Sequence, residues 1–224
     1  MTTTVTRWWW VRHAPVPNPE GRCYGQGDKD CDVSDIESFQ GLSTMLPAGA
    51  LLVTSDLLRT KKTAAAIAEA GLDLPDPIEE PSLREQSFGA WQGMTHPEIW
   101  DLRGARHPYW LAPAYERPPE GESFADVLAR LAPTVNRLTR EHAGRDIVSV
   151  GHGGTVRAAL AVALGLQAEA ALTFTIENLS LTRLDHIAGA DGISHWRVVA
   201  VNQRPKLDDV SLLRDSWVKA EAKA

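Results

Sequence analysis

The sequence of 224 residues contains no apolar run approaching the ~20 residues that span a bilayer, so no membrane-crossing helix is expected. Its N-terminus, Met1-Thr2-Thr3-Thr4-Val5-Thr6-Arg7, lacks the basic start, apolar middle and small-residue cleavage site of a secretory leader, and a cytoplasmic location is the expectation. Cysteine is scarce. Cys23 and Cys31 stand alone, without CxxC spacing or a His/Cys cluster, which argues against a zinc site and for two free thiols in a reducing compartment. A basic surplus is also missing: 23 Lys and Arg face 29 Asp and Glu, for a net charge of -6. Neither nucleic acid nor an anionic membrane is therefore expected as the main partner, although a local cationic pocket stays open. There is no internal repeat, coiled coil or low-complexity segment.

What is present suits one globular domain over residues 1–224. A hydrophobic share of 43% can build one sizeable core. Trp8-Trp9-Trp10-Val11 reads as a buried strand that ends abruptly at Arg12-His13-Ala14-Pro15. A Pro- and Gly-rich loop follows over residues 16–28, then a short helix within 34–46. Residues 50–54 form a second strand, and Ser55 stands at an N-cap position before a helix over 56–70 closed by Gly71. Residues 78–83 are extended. Residues 94–120, with five prolines among Trp100, Tyr109, Trp110 and Tyr115, read as an irregular insertion capping the sheet edge.

Ser123 with Asp126 approximates a capping box that opens a long helix, which Pro133 should kink. Residues 147–150 are a third strand, ending in Gly151-His152-Gly153-Gly154-Thr155 ahead of a helix over 156–164. Residues 180–184 and 196–201 pair antiparallel at one side of the sheet, and the tail from residue 208 is expected to fray. The fold class is α/β: a three-layer α/β/α sandwich on a mostly parallel sheet with an antiparallel edge.

Ligands of open α/β sheets collect at the carboxyl ends of the strands. Arg12 and His13 would be delivered there, although a lone Arg-His pair is more often a surface ion-pairing site. Arg59, in the first turn of its helix, is either a solvated cation or one half of an anion site shared with the helix start. Glu85 precedes an aromatic-glycine cluster that would shield it from water and raise its pKa, as a general acid needs; the plain alternative is a surface pair with Arg84. His152 lies in a glycine-rich turn where backbone amides face an anion. Two arginines, two histidines and a carboxyl around one crevice describe a pocket for a phosphoryl group, with histidine able to attack phosphorus directly. The carboxylate cluster of a metal site is lacking.

The order Arg12-His13, Ser55-x-Leu57-x-Arg59-x-x-x-Thr63-Ala64, Leu83-x-Glu85-x-x-Phe88-Gly89-x-Trp91-x-Gly93 and Gly151-His152-Gly153 resembles the histidine phosphatase superfamily, which includes the cofactor-dependent phosphoglycerate mutases. The resemblance implies the phosphoglycerate mutase-like fold and metal-independent phosphoryl chemistry without a cofactor. It also implies a small-molecule phosphate ester as partner, with a homodimer left open. It makes His13 the nucleophile, Arg12, Arg59 and His152 the holders of the phosphoryl oxygens, and Glu85 the proton donor. Asn18, Arg22, Gln26 and Gly153 are implied as further phosphate or substrate contacts. Gly21-Arg22-Cys23-Tyr24-Gly25-Gln26-x-Asp28 and the Phe88–Gly93 motif are similar to the phosphatase branch, including the α-ribazole phosphatase type.

The chain departs from the family's Arg-His-Gly at Ala14, which serves there if its φ is negative, and Pro15 and Val16 make the pocket rim more apolar. A phosphatase is the leading expectation. A mutase and a non-catalytic phosphate-binding module are the alternatives, the last disfavoured by the presence of both His13 and Glu85. His96, His107, His142, His186 and His195 match no motif and are expected to be structural or exposed.

Overall fold

The computed structural model describes residues 3–206. The expected fraying after residue 208 falls outside the described residues. The tryptophan run lies in β1, Thr4–Arg12. Successive side chains of a strand point to opposite faces, and burial follows that rule. Trp8 and Trp10 enter one hydrophobic core, whereas Val11 enters a second with Trp9 packed against it. Trp8 and Trp10 stack with ring centroids 4.9 Å apart, and the Trp8 indole N–H donates to Thr139 Oγ1 at 2.9 Å.

Five further strands join β1: β2 (Leu51–Thr54), β3 (Ile78–Glu79), β4 (Asp146–Gly151), β5 (Leu181–Ala188) and β6 (Ser194–Gln203), in the order β3-β2-β4-β1-β5-β6. The first four are mutually parallel; β5 runs antiparallel to β1, and β6 antiparallel to β5. The expected mostly parallel sheet with an antiparallel edge is what forms. Helices α1 (Ile36–Met45) and α2 (Leu58–Glu69) pack through Phe39, Leu42 and Ile67 on the face of Val11, Val148 and Val150. Helix α3 (His96–Arg103) stands apart from both layers. Helices α4 (Phe124–Glu141), α5 (Gly153–Leu164) and α6 (Ala168–Ala171) cover the face of Trp8, Trp10 and Ile147. Among the described residues no helix is long and apolar enough to cross a membrane. Both cysteines are buried free thiols. Burial pushes the Cys23 thiol up to about 12, which makes it unreactive at neutral pH.

The capping box at Ser123 forms in full, and α4 runs unbroken through the exposed Pro133. Four local readings need correction. Residues 78–83 are not extended throughout, because Pro81–Leu83 winds into a 3-10 turn. Residues 94–120 are not irregular throughout, because Thr95 and Glu98 cap α3 reciprocally and Gly104 closes it in the left-handed region at φ 65°. Ser55 is not the N-cap of α2. Leu57 holds that position without a side-chain bond, and the Ser55 hydroxyl is drawn instead to buried His152 and Thr60. Helix α5 begins at Gly153 and not at 156, so its first turn is the glycine pair itself.

Replacing Thr139 with the near-isosteric valine strands the buried Trp8 indole N–H. The expected cost is about 1–3 kcal/mol, read as a lowered midpoint in urea denaturation with an unchanged slope.

Candidate active site

Strand register assembles the site. In the β1–β4 ladder Arg12 lies opposite Gly151, so the next residue of each chain, His13 and His152, emerges side by side at the carboxyl edge. Their rings meet edge to face with centroids 5.3 Å apart. Strand β2 pairs with β4 up to Thr54 opposite Val150, which delivers Ser55 to the same edge. The antiparallel β5 starts where β1 ends, and its leading loop braces the pair. Leu179 N–H donates to the Arg12 carbonyl at 2.9 Å, and the Asn178 amide donates to the His13 carbonyl at 2.7 Å.

His13 is 1% exposed. Its Nδ1 lies 2.7 Å from the Ala14 carbonyl, an acceptor, so Nδ1 carries the proton and Nε2 keeps its lone pair. Burial, then the neighbouring Arg12 and Arg59 cations, hold this imidazole well below its ordinary 6.5. Ala14 is not among the residues with positive φ, so it fills the family's glycine position without strain. Its N–H donates to Thr63 Oγ1, which in turn donates to the Arg59 carbonyl, tying the loop after His13 to α2.

His152 is fully buried. Arg59 Nε donates to its Nδ1 at 3.3 Å, which puts the ring proton on Nε2 for donation to Ser55 Oγ at 2.9 Å. Burial first, then Arg59, His13 and Arg12, keep it neutral. Arg59 itself is buried, and its two terminal nitrogens donate to the carbonyls of Gly27 and Gly25. Arg12 gives Nη1 to the Ile176 carbonyl at 2.6 Å, while its buried Nε has no partner. Tyr24 lies between the two arginines, its hydroxyl hydrogen-bonded to Arg12 and its ring 5.2 Å from the Arg59 guanidinium.

Glu85, in the segment after Leu83, faces them with its carboxyl group against the start of α5. Gly154 N–H reaches its two carboxylate oxygens at 3.2 and 3.3 Å, and Gln86 N–H reaches Oε1 at 3.0 Å. A Cβ at Gly154 would stand 2.3 Å from Glu85 Oε1, so any other residue there would displace the carboxyl group. Arg84 does not pair with Glu85; it binds Asp56. The segment carrying Glu85 is pinned by Arg130, whose Nη2 takes the carbonyls of Arg84 and Glu85 at 2.8 and 3.0 Å.

The structure therefore brings Arg12, His13, Arg59, Glu85, His152 and Gly153 together. Asn18, Arg22 and Gln26 stand differently. The Asn18 side chain closes a tight loop on the backbone of Arg22, and Arg22 is held by Glu20 and the Gly93 carbonyl; both line the pocket mouth. The Gln26 amide donates to the Glu85 carbonyl at 2.9 Å and so supports that segment from behind. Three participants escaped the sequence reading: Tyr24, Asn178 and Arg157. Arg157 is 8% exposed, stacks over the Trp110 ring at 4.6 Å and, mainly through burial, is lowered to about 10. Asn178 had one available signal: the loop before an antiparallel neighbour of β1 must reach β1's carboxyl end. His96 and His107, expected to be structural or exposed, line the pocket, and His107 is also bonded to Glu169 at 2.8 Å.

Residues 8–199 match the family model described as the histidine phosphatase superfamily (branch 1). A glucosyl-3-phosphoglycerate phosphatase of Mycolicibacterium vanbaalenii is 35% identical over 153 residues, covering 63% of this chain and 67% of that protein. The bifunctional protein Rv2228c of Mycobacterium tuberculosis is 30% identical over 201 residues, covering 88% of this chain. The match takes in 54% of that relative, so the chain spans about half its length. Among solved structures, the native mycobacterial glucosyl-3-phosphoglycerate phosphatase Rv2419c superposes with a TM-score of 0.75 at 29% identity, covering 89% of this chain and 99% of that one.

Ser55→Ala removes the acceptor of the buried His152 Nε2–H. A loss of about 1–3 kcal/mol is expected, seen as a lower Tm, and a variant as stable as the parent would contradict this tautomer.

Proposed function

Because the chain belongs to the histidine phosphatase superfamily, we propose that it is a phosphomonoesterase that hydrolyses a small phosphorylated metabolite through a phosphohistidine at His13. The observation that carries this reading is the state of the His13 ring: neutral, with Nδ1 committed to Ala14 and Nε2 bare, between two arginines. In the first step the Nε2 lone pair attacks phosphorus and the ester P–O bond breaks as the N–P bond forms. The leaving oxygen takes its proton from Glu85. In the second step Glu85, now a carboxylate, accepts a proton from water as that water attacks phosphorus, and the N–P electron pair returns to Nε2. Arg12, Arg59 and the N–H groups opening α5 stabilise the charge on the transferring oxygens, while His152, both ring nitrogens engaged, holds Arg59 in place for them. Asn18, Arg22 and Gln26 order the loop beside the phosphate and the Glu85 segment, and residues 94–120 cap the site. A reducing, cytoplasmic setting is part of this reading, supported by the two free thiols.

His13→Ala is expected to lower hydrolysis of aryl phosphates by at least ~10³-fold and to abolish the acid-labile phosphoenzyme trapped from a radiolabelled ester. Undiminished hydrolysis would overturn the mechanism. Net isomerisation of phosphoglycerate without phosphate release would turn the assignment to a mutase.

The pH profile follows from the depressed His13 value. Protonation removes the nucleophile, so activity is retained above that value and lost as pH falls through it. The acidic limb of kcat/KM should therefore have its midpoint well below 6.5; a limb at or above 6.5 would show that His13 is not the neutral group described.

A further inference from the structure

From Arg12 and Glu85 a pocket of about 900 Å³ opens under residues 94–120. Its size is at the upper end of ordinary small-molecule sites, roughly 300–1,000 Å³. A short acyclic alcohol leaving from the phosphate would fill only the end nearest Glu85. Beyond that end the walls are rings: Tyr24, Phe88, Trp100, His107, Tyr109 and Trp110 all line it. Its charged lining, among the described residues, is Arg12, Glu20, Arg22 and Glu85. Arg22 is neutralised by Glu20, Arg12 faces the phosphoryl group, and Glu85 serves the leaving oxygen. No cation is left over among these lining residues for an anionic group deep in the cavity.

The walls are also held in place. The His107 ring accepts Trp110 N–H at Nδ1 (3.1 Å), so its Nε2–H donates to Glu169 on α6 at 2.8 Å, and the same carboxylate takes Ala114 N–H at 2.7 Å. The Trp110 indole reaches Gln86 at 3.3 Å, with the Arg157 guanidinium against the ring. Tyr109 meets the His107 ring edge to face, centroids 4.7 Å apart. Walls fixed before binding select by shape, because little ordering remains to be done when the ligand arrives. Flat aromatic faces select a partner with a flat apolar face of its own.

The geometry points to a leaving group whose far end is an uncharged ring, a sugar or a nucleoside base, seated against Tyr109, Trp110 and Trp100. This assignment rests on the phosphatase reading of the same site. Its test is phosphate release by the purified protein from three kinds of ester: hexose phosphates, nucleoside monophosphates, and the acyclic phosphoserine and glycerol 2-phosphate. At least one ring-bearing kind is expected to exceed both acyclic esters in kcat/KM by about tenfold or more, a single good stacking contact being worth about that factor. Which kind leads identifies the ring as sugar or base. Tyr109 is 46% exposed, so its truncation leaves the core intact. Tyr109→Ala should cut the ring-to-acyclic ratio several-fold through KM, and Tyr109→Phe should restore it. Equal kcat/KM for ring and acyclic esters, or a ratio unmoved in Tyr109→Ala, overturns the inference and leaves the phosphatase reading standing. Phosphate release from none of them overturns both.

Discussion

The parallel pairing of β1 with β4 is the constraint on which the rest depends. Its register sets Arg12 opposite Gly151, and everything chemical follows one residue later, when two imidazoles leave adjacent strands at one edge. A slip of one residue in such a ladder exchanges the faces of every side chain. Here slippage is opposed from both sides, since Trp8 and Trp10 fill one core while Val11 fills the other. The hydrophobic energy that fixes the strand thus also fixes where His13 stands.

Around that edge, electrostatics and hydrogen bonding work together. Burial beside two guanidinium groups keeps both histidines unprotonated; one nitrogen of the His13 ring and both of the His152 ring are committed to protein partners. Most donors of Arg59 are spent on carbonyls and on His152, which orients the side chain before any ligand arrives. The carboxyl group of Glu85 rests against the first turn of α5, held there by Gly154 N–H.

Much of this was legible in the sequence, and the reasons differ by element. Apolar runs ended by breakers marked β1, β2 and β4, because buried parallel strands need little alternation. Arg12, His13, Arg59, Glu85 and His152 could be named because each lies where a strand or turn delivers it to the edge. Ser55 was misread because a serine ahead of a helix is equally suited to capping and to serving a buried histidine, and only tertiary packing decides. Helix α3 was obscured by Pro97 and the prolines that follow it, although Thr95, Glu98 and Gly104 spell out both of its ends. Tyr24 and Arg157 carry no local signal. Their positions depend on a loop folding back and on a helix face meeting Trp110, which are long-range facts.

The anchoring of the pocket wall has a consequence for how such an enzyme changes. Glu169 holds the stretch around His107 and Ala114 from a short helix outside the sheet, away from the strands that deliver His13 and His152. The wall can therefore be redrawn, in sequence and in length, without disturbing the strand register or its histidines. New selectivity then evolves by editing a hooked-on panel, with the hook itself as the part that has to be kept.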